Sequence, residues 1–333
     1  MKTELNKDIA TALAALQGKQ IEGVYLVACG GSLSIMHPGK YFLDRKSKSL
    51  SADVYNGDEF AARAPARLGV NSLVILCSQT GTTKETTRAA QFARSRGAIT
   101  IGMTLDPHSP LGTSVDHVVG YQASYTTGVP IDAADSNYGV LYMLLAGLVR
   151  QIDHVDVIDS LLKSLSHLQP AIDKAHEKFA PLFAQYAPVL ANKKAVYSLA
   201  SGLDYGAAYS FSICVLMEMQ RINSQAIHAN EYFHGPFEVT DEKVGFVALL
   251  GLDETRHLEE RAAAFAVRFA SAENVLILDA STLDLAGIEE EFKSYLVPLV
   301  FFDTLWRFAY RVADLRGIPM LEGRRYMKKL SDY

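Results

Sequence analysis

Glu218 and His234 are residue types that could together move protons near neutral pH. Glu218 stands in Leu216-Met217-Glu218-Met219, within what reads as a long and mostly apolar helix. A carboxylate there is costly unless it is paired, and burial that raises its pKa towards neutrality would make it a usable base. Gly235-Pro236 should end a helix and leave His234 at the edge of a loop. A structural ion pair at Glu218 and a satisfied turn histidine at His234 explain the two residues about equally well.

Two loops rich in glycine and hydroxyl groups could hold an anion. Gly30-Gly31-Ser32 follows an apolar run at residues 24–29, and Ser78-Gln79-Thr80-Gly81-Thr82-Thr83 follows a second run at 72–77 and precedes a helical stretch. The free N–H groups and the dipole at a helix start attract negative charge, and glycine lets the backbone approach it closely. Simple helix capping by Ser78 or Thr80 is the alternative, but four hydroxyls in the six-residue loop favour a phosphate site.

Metal and thiol chemistry have weaker support. His228, Glu231 and His234 are spaced at i, i+3 and i+6, unlike the i, i+4 histidine pair of metalloprotease helices, so no metal is expected. The three cysteines, at positions 29, 77 and 214, stand in apolar runs without a CxxC pair. This pattern favours reduced core thiols over a disulfide framework, and it leaves a catalytic cysteine as a lesser alternative.

The elements that would position these residues occur twice along the chain. Apolar runs near 24–29, 72–77 and 98–103 alternate with helical stretches, which predicts α/β domains with mostly parallel sheets flanked by helices. Residues 196–202 repeat the pattern of 24–30, and residues 261–266 repeat that of 88–93, at offsets of 172 (196 minus 24) and 173 (261 minus 88). We therefore predict tandem domains at 1–150 and 191–316, joined by connecting helices at 151–190 and followed by a tail at 317–333.

The second copy differs where the first predicts an anion site. Its matching loop is Gly251-Leu252-Asp253-Glu254-Thr255-Arg256, and two acidic side chains there would repel a phosphate. The sequence therefore assigns the phosphate to the first copy and the Glu218 and His234 segment to the second.

Composition limits the possible partners of the chain. It has 333 residues and a net charge of −5, which argues against broad nucleic-acid binding. The charged start MKTELNKDIA has no apolar signal core, and the longest strongly apolar stretch, near Val140–Val149, is too short to cross a bilayer. We expect a cytoplasmic protein that acts on a small molecule, with no membrane or nucleic-acid partner.

The motifs resemble those of a known family. Cys29-Gly30-Gly31-Ser32 and the loop at 78–83 resemble the two phosphate-binding loops of SIS (sugar isomerase) domains, in tandem over nearly the whole chain. Glu218 and Glu231-x-x-His234-Gly235-Pro236 resemble the isomerase half of glucosamine-6-phosphate synthase, although no glutaminase domain precedes them and Met217 replaces a lysine. Segments 212–220, 228–238, 250–256 and 324–327 resemble the fructosamine 6-phosphate deglycases more closely, fructoselysine-6-phosphate deglycase among them.

The resemblance implies roles for individual residues. Glu218 would move a proton between sugar carbons 1 and 2, and His234 would open the ring or protonate the departing fragment. Lys328 aligns with a tail lysine of the synthase. The implied substrate-binding residues are Gly30, Gly31, Ser32, Ser78, Gln79, Thr80, Thr83, Ser136, Arg324 and Lys328.

The resemblance also implies a reaction and an assembly. A 6-phosphorylated sugar–amine adduct would be split into glucose 6-phosphate and a free amine, without a metal or redox cofactor. The protein would be a homodimer or a larger oligomer with its site at the subunit interface, where His234 could act on the neighbour's substrate.

Two other functions stay open at this point. One is a phosphosugar aldose–ketose isomerase or aminosugar-phosphate deaminase, which would use the same base and the same phosphate loops. The other is a non-catalytic module that senses sugar phosphates, although the stretch before Val24 is too short for a DNA-binding helix-turn-helix. The sequence also leaves open which amine is released, and whether the substrate is a 1-amino-ketose or a 2-amino-aldose.

Overall fold

The protein is described by a computed structural model that covers residues 4–123, 131–327 and 329–330. The chain divides into two compact units. The first comprises Met1–Gln169 together with Gly287–Phe292, and the second comprises Pro170–Ala286 together with Lys293–Tyr333. Among the described residues, no helix combines the length and the apolar character that a bilayer crossing requires.

The first unit is built on a five-stranded parallel sheet with the order β2-β1-β3-β4-β5. Its central strand, β3, is buried at every position, as expected of a parallel strand covered on both faces. The edge strands β2 and β5 are less completely buried than β3 and are partly exposed. The strands are β1 (Gly23–Ala28), β2 (Ser51–Asn56), β3 (Ser72–Cys77), β4 (Ile99–Thr104) and β5 (His117–Gly120).

Helices cover this sheet because each carries an apolar stripe or is apolar throughout. The helix at 137–153 is almost wholly buried, whereas the helix at 84–95 buries Thr86 and a row of alanines that allows close packing on the sheet. The helices of the unit are α1 (Lys7–Ala15), α2 (Gly30–Ser34), α3 (Met36–Lys46), α4 (Gly57–Arg63), α5 (Lys84–Ser95), α6 (Asn137–Asp153) and α7 (Ile158–Ser166).

The second unit repeats the arrangement with a four-stranded parallel sheet in the order β7-β6-β8-β9. Numbered within the unit, this order is 2-1-3-4, the same as the first four strands of the other sheet. The strands are β6 (Ala195–Ala200), β7 (Asn223–His228), β8 (Gly245–Leu250) and β9 (Val275–Asp279), and the helices are α8 (Leu168–Leu190), α9 (Tyr205–Ser210), α10 (Arg256–Ala270) and α11 (Glu290–Arg316). A π-helical segment, Phe211–Met217, directly extends α9.

The α/β class and the duplication predicted from the sequence are confirmed. Gly30 and Gly202, which follow the first strand of each copy, even share a left-handed backbone, with φ of 55° and 47°. One local prediction is wrong: Glu218 does not lie inside a long regular helix. The α-helical part ends at Ser210, a π-helix ends at Met217, and Glu218 is the residue that follows it.

Candidate active site

The predicted phosphate loops of the first unit meet at one edge of its sheet. Strands β1 and β3 are parallel neighbours, and Ala28 is in register with Cys77, so the segments that follow them leave the sheet side by side. β2 lies on the other side of β1, which makes the gap between β1 and β3 the point where the strand order reverses. Open α/β sheets bind ligands at the carboxyl ends of their strands at such a point.

The loop at 78–83 is braced by its own side chains. Ser78, which is buried, donates its hydroxyl to the Thr83 hydroxyl at 3.0 Å, and the Thr80 and Thr82 hydroxyls are 2.7 Å apart. Gly81 has a φ of 65°, and a Cβ there would lie only 1.9 Å from the Ser109 Oγ. Only glycine fits both this conformation and this close approach.

The alternative that these hydroxyls only cap α5 finds no support in the geometry. The residue before the helix is Thr83, and its side chain makes no capping hydrogen bond. The first N–H groups of a helix have no partner within the helix, so this helix start can offer donors to an anion. The role of Gln79 in binding stays a prediction. Its main-chain carbonyl accepts the Leu105 N–H at 2.9 Å and so ties the loop to the end of β4.

Ser32 and Cys77 link the two loops. The Ser32 side chain hydrogen-bonds the Cys77 thiol, and burial raises the pKa of that thiol to about 11. Cys77 is therefore a protonated core residue at neutral pH, which removes it as a nucleophile. Ser32 lies in α2 beside Gly30 and Gly31, and its contact with Cys77 places it against the end of β3.

Ser136, also predicted to bind the substrate, is the N-cap of α6 here. Its hydroxyl donates to the Ala133 carbonyl at 2.6 Å and accepts the Gly139 N–H at 3.4 Å. Lys328 lies outside the described residues.

In the second unit, an acidic side chain fills the position that corresponds to the predicted phosphate loops of the first. Asp253 Oδ2 accepts the Leu203 N–H at 2.8 Å, and Oδ1 accepts the Thr255 N–H at 2.7 Å and the Thr255 hydroxyl at 2.6 Å. Gly202 permits this approach, because a Cβ at that position would lie 2.4 Å from the carboxylate. The chain thus supplies its own negative charge to the N–H groups of this edge.

Two further carboxyl groups are buried beside Asp253, and the sequence analysis did not identify them. Glu259 accepts the Ser201 N–H and the Gly251 N–H at 2.9 and 2.7 Å, and burial raises its pKa to about 7. Burial first, and then the neighbouring carboxylates of Glu259 and Asp253, raise the pKa of Asp204 well above its usual value. Within the described residues, Asp204 Oδ1 has no hydrogen-bond partner. This cluster therefore holds protons at neutral pH.

Glu218 is presented by the π-helical segment between β6 and β7. Its N–H donates to the Ile213 carbonyl at 3.1 Å, a bond to the fifth residue back that widens the turn. Glu218 Oε1 lies 3.1 Å from Arg324 Nη1, and both side chains are about one-fifth exposed (18% and 20%). A neighbouring guanidinium favours the ionised form of a carboxylate, which is the form that can accept a proton. The ion pair that the sequence left open as an alternative is thus present, and it is compatible with a base.

His234 lies exposed at the end of the 3₁₀ turn Glu231–His234. The residues around it anchor the turn: Tyr232 is fully buried and hydrogen-bonds Thr240, and the Arg261 guanidinium stacks 3.9 Å above the Phe233 ring. A rigid turn therefore carries a histidine whose side chain faces outward. No group of three or more His, Cys, Asp or Glu side chains in the described part of the chain is arranged to hold a metal ion.

Comparison with known proteins identifies the family. The SIS domain model matches residues 19–147. The fructosamine deglycase FrlB of Bacillus subtilis is 45% identical over 98% of both chains, and the fructoselysine 6-phosphate deglycase of Escherichia coli K12 is 27% identical over 95% of this chain and 88% of its own. A solved Bacillus subtilis structure, provisionally assigned as a phosphosugar isomerase, is 45% identical and superposes with a TM-score of 0.93 over 98% of each chain.

The chain therefore belongs to the SIS-domain family of phosphosugar proteins. Within that family it belongs to the branch that includes the fructosamine deglycases, as the segments at 212–220, 228–238, 250–256 and 324–327 indicated.

The buried acidic cluster predicts a fall in stability with rising pH. Because the pKa values of Glu259 and Asp204 are raised above their usual 4.5 and 3.8, the folded state binds protons that the unfolded state releases. The free energy of unfolding should therefore decrease as the pH rises from about 5 through about 7. Asp204→Asn keeps the shape but removes one charge, so it should flatten this decrease and be more stable than the wild type at pH 8 by roughly 1–3 kcal/mol.

Urea denaturation across this pH range measures the effect. Glu273→Gln, which changes an exposed carboxylate of the same unit, is the control and should follow the wild type. Parallel pH profiles for Asp204→Asn and the wild type would contradict the prediction.

Proposed function

We propose that the protein is a deglycase that splits a 6-phosphorylated fructosamine into glucose 6-phosphate and a free amine or amino acid. The observation that carries this proposal is the Glu218 carboxylate, which pairs with Arg324 at 3.1 Å and lies at the end of the π-helical segment. The deglycase relatives, of which FrlB is 45% identical to this chain, agree with it.

The chemistry requires one proton acceptor at sugar carbon 1. In a 1-amino-1-deoxyketose 6-phosphate, Glu218 takes the C1 proton once the carbonyl is free and leaves an enaminol. The proton returns to C2, which gives the imine of glucose 6-phosphate, and water then adds to C1 as the amine leaves. The sum is adduct plus water to glucose 6-phosphate plus amine, with no redox change and no cofactor. His234, outward on its anchored turn, would open the ring or protonate the leaving amine.

The phosphate is assigned to the first unit. The loops at 30–32 and 78–83 supply hydroxyl groups and glycine backbone beside the start of α5, the arrangement that binds phosphate in many α/β proteins. The second unit offers no equivalent site at its own 201–203 and 251–255 loops, because Asp253 accepts those hydrogen bonds. In this proposal Ser32, Ser78, Gln79, Thr80 and Thr83 contact the phosphate, and Arg324 and Lys328 add positive charge from the C-terminal segment.

A panel of 6-phosphorylated sugar–amino acid adducts tests the function directly. Release of glucose 6-phosphate and a free amine supports a deglycase, and comparison across the panel identifies the amine. Interconversion of aldose and ketose phosphates without amine release would instead support the isomerase alternative, which uses the same Glu218.

The phosphate assignment predicts a loss of substrate binding on removal of one hydroxyl group. Ser78→Ala or Thr83→Ala should raise KM by an amount that corresponds to about 1–3 kcal/mol, because a hydrogen bond to a charged group is lost. Ser95→Ala, at the other end of α5, is the matched control. The same adduct without its phosphate should be a poor substrate, and equal turnover of both forms would disprove the assignment.

The base assignment predicts a loss of turnover. Glu218→Gln keeps the shape and loses only the proton acceptor, so kcat should fall at least roughly 100-fold while substrate affinity is nearly kept. His234→Ala should also lower kcat, and the two losses should not add, because both residues serve one proton-transfer sequence. In deuterium oxide, the wild type should place solvent deuterium at C2 of glucose 6-phosphate. A folded Glu218→Gln enzyme with wild-type turnover would leave Glu218 as a structural carboxylate.

The family resemblance also predicts an oligomer. Light scattering at the concentrations used for activity should show a homodimer or a larger assembly. An active monomer would contradict this expectation and the proposed action of His234 on a neighbour's substrate.

A further inference from the structure

Gln220 is a buried polar residue two positions after Glu218, and no proposed step of the reaction uses it. Its side chain is completely buried. The side-chain amide donates to the Ile318 carbonyl at 3.1 Å and lies 3.3 Å from Met320 Sδ. A single side chain of the segment that carries the candidate base therefore holds the chain that follows α11.

The main chain of Gln220 makes a second connection to the same region. Its carbonyl accepts a hydrogen bond from Arg316 Nη2 at 3.3 Å, and Arg316, the last residue of α11, also donates to the Ala191 carbonyl through Nη1. The end of α11 and residues 318–320 are thus fixed to the turn that follows the π-helical segment.

Beyond residues 318–320, the chain contacts Glu218 through Arg324. Arg324 Nε donates to the Leu321 carbonyl at 2.8 Å, and Arg324 Nη1 donates to Glu218 Oε1 at 3.1 Å. Two hydrogen bonds therefore join the two segments. One runs from Gln220 to the Ile318 carbonyl, and the other from Arg324 to Glu218. The position of the guanidinium therefore depends on the docking of residues 318–320, because the contact of its Nε atom, with the Leu321 carbonyl, is local to the segment.

The buried amide of Gln220 should lower the stability of the fold relative to an apolar side chain, so packing alone does not explain it. Within the described residues, Gln220 Oε1 is buried without a hydrogen-bond partner. Burying an unsatisfied polar atom destabilises the folded state, whereas an apolar side chain of similar size would not carry this cost. Stability alone would favour leucine or methionine here.

We propose that Gln220 is a positioning residue, which seats residues 318–320 so that Arg324 reaches and orients the Glu218 carboxylate. Its effect on turnover rests on the proposed role of Glu218 as the base. Gln220 itself contacts neither the substrate nor the reacting atoms in this proposal; it acts through Arg324.

The test compares Gln220→Leu and Arg324→Gln, alone and combined. Gln220→Leu removes both contacts of the amide, so kcat should fall about tenfold or more while KM changes less. The double variant should be no slower than Arg324→Gln alone, because both substitutions remove one interaction. The melting temperature of Gln220→Leu should stay the same or rise, which separates positioning from a loss of fold.

Matched controls and a second measurement make the test decisive. Gln225→Leu and Arg311→Gln change exposed residues of the same unit and should leave kcat unchanged. Hydrogen–deuterium exchange of Gln220→Leu should rise at residues 318–327 and not in β6 or β8. If Gln220→Leu does not fold, Gln220→Met, which is also unbranched and lacks the amide donor, replaces it.

The outcomes separate this inference from the proposed function. Wild-type kcat and unchanged exchange in Gln220→Leu would overturn the positioning role while the deglycase activity stands. A double variant slower than Arg324→Gln by the full factor of Gln220→Leu would likewise overturn it. If the wild type split none of the adducts, the proposed function would fail, and the exchange measurement alone would decide whether Gln220 seats the segment.

Discussion

The two units differ in how they satisfy the backbone N–H groups at the carboxyl ends of their parallel strands. Where β1 lies beside β3, and β6 beside β8, the following loops and helix starts leave backbone N–H groups at one edge of the sheet. Those groups need an acceptor, and the helix dipole adds to the demand for negative charge. In the first unit, the loops at 30–32 and 78–83 carry glycines and hydroxyl groups and no acidic side chain. In the second unit, Asp253 satisfies this demand from within the chain.

This internal acceptor has consequences for the rest of the second unit. Asp204 and Glu259 lie buried close to Asp253, and three carboxyl groups together cannot all be ionised without strong repulsion, so protons stay bound. The edge at which we propose a phosphate site in the first copy is occupied in the second by carboxyl groups of the chain itself, two of them buried. The candidate catalytic residues of the second unit, Glu218 and His234, are instead carried by the connection from β6 to β7 and by the turn after β7.

The sequence predicted the fold well because the buried strands leave a strong signal. β1, β3 and β4 are continuous apolar runs and were found, whereas the polar strands β2 and β7 were not, since sequences such as Ser51–Asn56 and Asn223–His228 show no such run. The loops at 30–32 and 78–83 were found from their glycines and hydroxyl groups. Asp204, Glu259 and Gln220 were missed, because a single polar residue in an apolar context does not reveal which distant partner it will meet.

At Glu218, the spacing of apolar residues along a regular α-helix no longer predicts which side chains are buried. An α-helix turns about 100° per residue, so one extra residue in a π-helical turn rotates everything beyond it by about that angle. The bonds from Glu218 N–H to the Ile213 carbonyl and from Gln220 N–H to the Val215 carbonyl each span five residues and introduce this shift. Apolar Met217 is consequently 46% exposed, while Glu218 meets Arg324 and Gln220 turns into the core. The same irregularity therefore presents the candidate base and buries the residue that seats its partner, which joins the two features in one local departure from helical geometry.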